Sequence, residues 1–191
     1  MSVRIGEGDA LIVVDVQNDF CPGGALPVPQ GDQVVPVINR IAPLFPFVVA
    51  TQDWHPPHHV SFRERGGPWP PHCLQGSRGA EFHPHLNVRE IDVVVQKATQ
   101  PDKDAYSGFE GTNLEEILRE NNIRRVFITG LATDYCVRAT ALDALKAGFE
   151  TFIVTDAVRG VDAEPGDSER ALREVEEAGG ALVNSQNLEV A

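Results

Sequence analysis

Six short apolar runs, each nearly continuous rather than alternating, limit what this chain can fold into more than any other feature: 10–14, 47–51, 91–95, 125–129, 151–155 and 181–183. Unbroken hydrophobicity over about five residues is the mark of a strand covered on both faces. Segments of helical length separate most of the runs. Asp32 is placed to cap a helix carrying Val34, Val35, Val37, Ile38 and Ile41, with Pro36 near its first turn and Pro43 ending it. The sequence TNLE at 112–115 reads as a capping box opening a helix to about Asn121, and another helix is expected over 167–178, before Gly179 and Gly180. Strands alternating with helices predict an α/β fold: a three-layer, doubly wound sheet of about six mainly parallel strands, with helices on both faces. At this length the whole chain, 1–191, is expected to form one domain.

Charge and composition narrow the function. A formal net charge of −12 repels phosphate backbones and anionic membranes, so nucleic acid is not an expected partner. No apolar run approaches the roughly 20 residues that span a bilayer, and the first residues lack the apolar centre of a signal peptide. A cytoplasmic protein is the expectation. Cys21, Cys73 and Cys136 are odd in number and widely spaced, which reads as three reduced thiols.

One connection, 52–90, breaks the rhythm of short loops and is rich in Pro, Gly and His; so long a loop in a compact domain is usually functional. Ligands of an open parallel sheet bind beyond the carboxyl ends of its strands. Asp15 follows the first run, Asp53 and His55 the second, Lys97 the third and Cys136 the fourth. The last lies in ITGLATDYCVR (128–138), which reads as a strand, a bend at Gly130, and a helix capped by Thr133. A cysteine in that first turn would have its thiolate favoured by free N–H groups and the helix dipole. Taken singly, each of these residues is more often an ordinary surface charge or a small buried side chain. Their convergence on one sheet edge argues for chemistry.

Asp15, Lys97 and Cys136 suit amide hydrolysis through a thiol: a base for the thiol proton, an ammonium to balance charge, and a nucleophile, with the N–H groups of Ala132 and Cys136 as an oxyanion hole. Asp53, His55 and His72 suit one divalent metal ion, zinc being favoured with iron or manganese as alternatives. His59 reads as a fourth ligand or an outer contact of that site, His58 as exposed, His83 and His85 as surface residues, and Cys73 as a buried structural thiol. Phe20, Trp69 and Tyr106, with Phe109 as a weaker candidate, could wall a pocket for a flat heteroaromatic substrate.

These residues fall in the blocks IVVDVQNDF (12–20), TQDWHPPHHVSF (51–62), WPPHC (69–73), the Lys97 segment and GLATDYC (130–136). In them the chain resembles the nicotinamidase/pyrazinamidase branch of the isochorismatase-like cysteine hydrolases. The resemblance implies hydrolysis of nicotinamide to nicotinate and ammonia through a thioester on Cys136, in NAD salvage, with pyrazinamide as a second substrate. It implies Asp15 as acid and base, Lys97 as its partner, Asp53, His55 and His72 as metal ligands with His59 contributing in some members, and Phe20, Trp69 and Tyr106 as the pocket. It also implies a non-proline cis peptide at Leu131–Ala132 and a metal-loop insertion at about 52–90. A homo-oligomer is allowed but not required. The rivals are another amidase of the superfamily, such as an N-carbamoylsarcosine-type hydrolase, which gives no reason for the metal set; an isochorismatase, which would not need Cys136; and a non-catalytic metal-binding protein on the same fold, which leaves Asp15, Lys97 and Cys136 unexplained.

Overall fold

The structure, a computed structural model, describes residues 2–191. In chain order it contains β1 (Val3–Ile5), β2 (Asp9–Val14), α1 (Val34–Ile41), β3 (Phe47–Asp53), β4 (Val93–Lys97), α2 (Leu114–Glu120), β5 (Arg125–Leu131), α3 (Arg138–Lys146), β6 (Glu150–Arg159), α4 (Asp167–Glu177), β7 (Ala181–Val183) and β8 (Leu188–Val190). All six apolar runs are strands of one parallel sheet, in the order β4-β3-β2-β5-β6-β7. One face packs Val34, Val35, Ile38 and Ile41 of α1 against Leu11, Val13 and Phe127. The other packs Leu114 and Leu118 of α2, Ala141 and Ala144 of α3 and Val175 of α4 against Ile12, Ile128 and Ile153. The protein is thus a doubly wound α/β fold, and the order of its strands reverses between β2 and β5.

Burial explains the apolar runs and their exception. Every residue of β2 is buried. β4 lies at the edge, where burial alternates and Val94 is 44% exposed, and it ends two residues later than expected, on Lys97. β1 and β8 pair in parallel as a separate ribbon that the sequence does not announce: each is three residues long, with Arg4 and Glu189 between the flanking apolar residues.

The helix starts differ from their sequence signals. Asp32 lies inside a 3-10 turn (Gly31–Gln33) leading into α1, which has no side-chain cap. The box at 112–115 does not close: Asn113 holds the cap position of α2, Thr112 Oγ1 donates to the Gly108 carbonyl and accepts the Leu114 N–H, and Glu115 pairs with Arg119. Thr133 does not cap α3 either. A single π-helical turn (Thr133–Val137) entered from Ala132 precedes α3, so Cys136 sits on that wide turn rather than in the first α-helical one. The helix end behaves as expected, with Gly148 at φ +92° and the Phe149 N–H returning to the Ala144 carbonyl at 3.0 Å.

The long connection begins later than 52, because Gln52 and Asp53 continue β3. Beyond Asp53 the chain is ordered by short 3-10 turns (Arg63–Arg65, Arg78–Ala80, Val88–Glu90) and by isolated bridges joining His55 to Leu74 and Phe62 to Trp69. Among the described residues, no helix is long and apolar enough to cross a membrane.

Candidate active site

The sheet delivers its polar residues to the edge where the strand order reverses. Asp15 directly follows β2 at φ +51°, its N–H on the Thr51 carbonyl (3.2 Å) and its Oδ1 accepting the Thr51 hydroxyl (2.7 Å). Asp53 and Lys97 are register partners at the ends of β3 and β4. Gly130 lets β5 approach β2: at φ +106°, a Cβ there would stand 2.1 Å from the Val14 carbonyl oxygen. Cys136 follows on the turn after β5.

Lys97 is buried and central. Its Nζ lies 2.9 Å from Asp15 Oδ2, 2.5 Å from Asp53 Oδ1 and 3.5 Å from Cys136 Sγ. Ligand atoms of Asp15, Asp53 and Cys136 lie within 4.8 Å of one another, so the ammonium is the cation at the centre of a cation-binding group. Asp15 Oδ2 is ion-paired with the Lys97 ammonium at 2.9 Å and faces the Cys136 thiol. That oxygen keeps a further lone pair to receive a proton from the neighbouring thiol. Burial raises the Asp15 pKa and Lys97 opposes the rise. Burial would also depress Lys97, but the two carboxylates outweigh it and hold the amine protonated. Cys136 is pushed up by burial against the pull of Lys97, so the resting group is a thiol. This corrects the expectation of a thiolate favoured by a helix start. The residue stands on a π-turn, buried beside two carboxylates.

Asp53 turns its other oxygen to two imidazoles. His55 Nε2 lies 3.4 Å and His72 Nε2 3.9 Å from Asp53 Oδ2. His55 Nδ1 is held on the Ala98 carbonyl (3.0 Å) and His72 Nδ1 on the Pro70 carbonyl (2.8 Å). A carbonyl only accepts, so each Nδ1 carries hydrogen and each Nε2 presents a lone pair to the same place, as in metal-ligating histidines. Burial disfavours charge on Asp53, but the Lys97 ammonium opposes it and the group stays ionised. Two nitrogens and a carboxylate oxygen, all buried and within 4.8 Å of one another, fit a divalent cation.

His59 is not in this set. Its Nε2 donates to the Lys103 carbonyl (2.8 Å), its Nδ1 accepts the Ser61 N–H (3.3 Å) and meets Ser61 Oγ (2.7 Å), and its ring stacks on His55 at 4.1 Å. With both nitrogens so engaged, it lies outside the group formed by Asp53, His55 and His72. His58 is exposed on Glu64, His85 is exposed and His83 half-buried. Cys73 is buried, and its carbonyl accepts the His55 N–H (2.9 Å).

A cavity of about 500 Å³, counting its open mouth, joins the two clusters. Phe20, Trp69 and Tyr106 line it with Asp53, His72, Ala132 and Cys136. The Trp69 indole N–H donates to the Tyr106 hydroxyl at 3.1 Å. Phe109 does not line it; its ring lies 6.2 Å from that of Phe149. Sequence reasoning missed Tyr135, whose ring meets Trp69 at 5.3 Å and Tyr106 at 5.6 Å, and the apolar wall of Leu26, Val28 and Val161. Tyr135 had a signal, as an aromatic residue adjoining Cys136; the aliphatic wall had none. The Leu131–Ala132 peptide is cis, and the Ala132 carbonyl accepts the N–H groups of Tyr135 and Val137.

An acid, an amine and a thiol gathered at the carboxyl edge of a parallel sheet, open to an aromatic cavity, make an α/β protein equipped for acyl transfer. The chain belongs to the isochorismatase domain family, which it matches over residues 9–187. It is similar to nicotinamidase of Escherichia coli (strain K12), at 42% identity covering 91% of this chain and 93% of that protein. The crystal structure of Pyrococcus horikoshii pyrazinamidase in complex with zinc superposes with a TM-score of 0.88 at 56% identity, over 93% of this chain and 99% of that one. PnC1 of L. infantum in complex with nicotinate superposes with a TM-score of 0.95 at 38% identity, over the full length of both chains.

Proposed function

We propose that this protein is a metal-containing cysteine amidase that hydrolyses nicotinamide to nicotinate and ammonia in NAD salvage, and pyrazinamide by the same route. The observation that carries the reading is the buried cluster in which the Asp15 carboxylate, the Lys97 ammonium and the Cys136 thiol lie within reach of one another. The nicotinamidase and pyrazinamidase relatives support the substrate.

Asp15 takes the thiol proton as Cys136 Sγ adds to the carboxamide carbon, and Lys97 balances the negative charge that moves from carboxylate to sulfur. The N–H groups of Ala132 and Cys136 receive the oxyanion. Asp15 then gives its proton to the amide nitrogen, the C–N bond breaks, ammonia leaves and a thioester remains. Water, losing a proton to Asp15, adds to the thioester carbon; the C–S bond breaks, nicotinate forms and Cys136 recovers its proton. Phe20, Trp69 and Tyr106 hold the pyridine ring. Asp53, His55 and His72 would hold the divalent ion, zinc by our reading, which supplies a positive site for the pyridine nitrogen or the water beside it; the zinc complex of the Pyrococcus relative supports that choice. The chain is read as one domain whose metal-loop insertion lies at about 52–90.

Ammonia release from nicotinamide tests the proposal. The wild-type protein should turn over, and Cys136→Ala should lose a factor on the order of 10⁴ or more. Retained turnover in the variant would exclude the thioester, whereas an inactive wild type that releases ammonia from N-carbamoylsarcosine would move the assignment to that amidase.

A further inference from the structure

The residues just after Asp15 send their side chains into the long connection. Gln17 donates to the carbonyls of Asp53 (2.8 Å) and Ala80 (2.9 Å) and accepts the Asp53 N–H (2.9 Å), while Asn18 donates to the Arg78 carbonyl (2.8 Å). Asp19 differs in serving two walls at once. Its Oδ2 accepts the N–H of Cys73, the residue after His72, at 2.8 Å. Its Oδ1 accepts the Ala25 N–H at 3.1 Å, and its own carbonyl accepts the Leu26 N–H at 2.9 Å. One residue therefore sets both the backbone beside His72 and the start of the Leu26 wall. Gly79 fits flush against it: a Cβ there would stand 2.1 Å from Asp19 Oδ2. Phe20, next in the chain, lies 5.6 Å from the His72 ring and lines the cavity. Hydrogen bonds to an ionised carboxylate are the stronger kind, so neither loop can shift without being felt at the other.

We infer that Asp19 is a positioning residue that ties the seat of His72 to the Leu26 wall and so couples metal retention to substrate binding. This rests on reading Asp53, His55 and His72 as metal ligands. Asp19 does not line the cavity and acts through the two loops it holds. A residue that merely stabilised loops would lower the melting temperature and leave zinc affinity and KM where they were.

The test compares wild type with Asp19→Ala, Asp19→Asn and Gly79→Ala. Zinc affinity is measured by competition with a chromophoric chelator, and KM for nicotinamide at saturating zinc. Asp19→Ala should weaken zinc binding roughly tenfold, in the range seen when an outer support of a metal ligand is removed, and should raise KM more than it lowers kcat. Asp19→Asn, whose amide keeps one acceptor oxygen and opposes the other N–H, should fall between. Gly79→Ala displaces the carboxylate without altering it and should repeat the alanine pattern; it also carries the test if Asp19→Ala does not fold. Unchanged zinc affinity and KM in these variants would overturn the inference. A wild type that takes up no zinc would instead overturn the metal reading, and an unchanged KM in Asp19→Ala would then sink the coupling separately.

Discussion

Lys97 is the side chain with most at stake in this molecule, since a fully buried ammonium survives only because two carboxylates face it. Its removal would leave Asp15 and Asp53 buried and mutually repelling. Burial already holds Asp15 above the ordinary carboxylate pKa of about 3.9, and Lys97 is what limits that rise. In the proposed mechanism the ionised form of Asp15 is the base, so kcat/KM should fall as pH drops through this raised pKa. Lys97→Met takes away the lowering influence, so the acid limb of the residual activity should move to higher pH; a limb that stays in place would exclude Asp15 as the base. Asp15, Asp53 and Lys97 were legible in sequence because each stands within two residues of the end of an unbroken apolar run, and Cys136 because it lies in the turn segment that follows one. Leu26, Val28 and Val161 were not legible, because an aliphatic cavity wall has the composition of core. The two nitrogens of His59 were not legible either: only the fold shows that Ser61 and Lys103 occupy them.

At the scale of elements, the site depends on how closely β5 lies against β2. Gly130→Ala would add a Cβ 2.1 Å from the Val14 carbonyl at a φ that disfavours side chains. The strands must part, carrying Cys136 away from Asp15. The expected cost is about 2 kcal/mol or more in urea unfolding, with a fall in kcat larger than any change in the affinity for nicotinate. Near-native stability and kcat would show that this approach does not set the geometry. The strands were legible because covered strands have a pattern no other element shares at that length. Helix starts were misread at Asp32, Thr112 and Thr133, since a cap is chosen by competition among nearby acceptors. Thr112 shows this: its hydroxyl is drawn to Gly108, outside the helix. The ribbon of β1 and β8 joins residues from opposite ends of the sequence, which local pattern cannot reveal.

Across the whole molecule, the three cysteines stand in three different positions relative to solvent. Cys73 is fully buried and Cys21 nearly so, neither facing the cavity, and burial lifts the Cys21 thiol to about 11. Cys136 alone opens on the cavity, with a carboxylate at hand to take its proton. A small alkylating reagent should therefore modify one sulfur per chain quickly, and nicotinate should protect it. The other two become internal clocks, marked only when the polypeptide opens globally, so timed labelling read by mass would follow occupancy of the reaction chamber and unfolding of the framework independently in one unmodified sample.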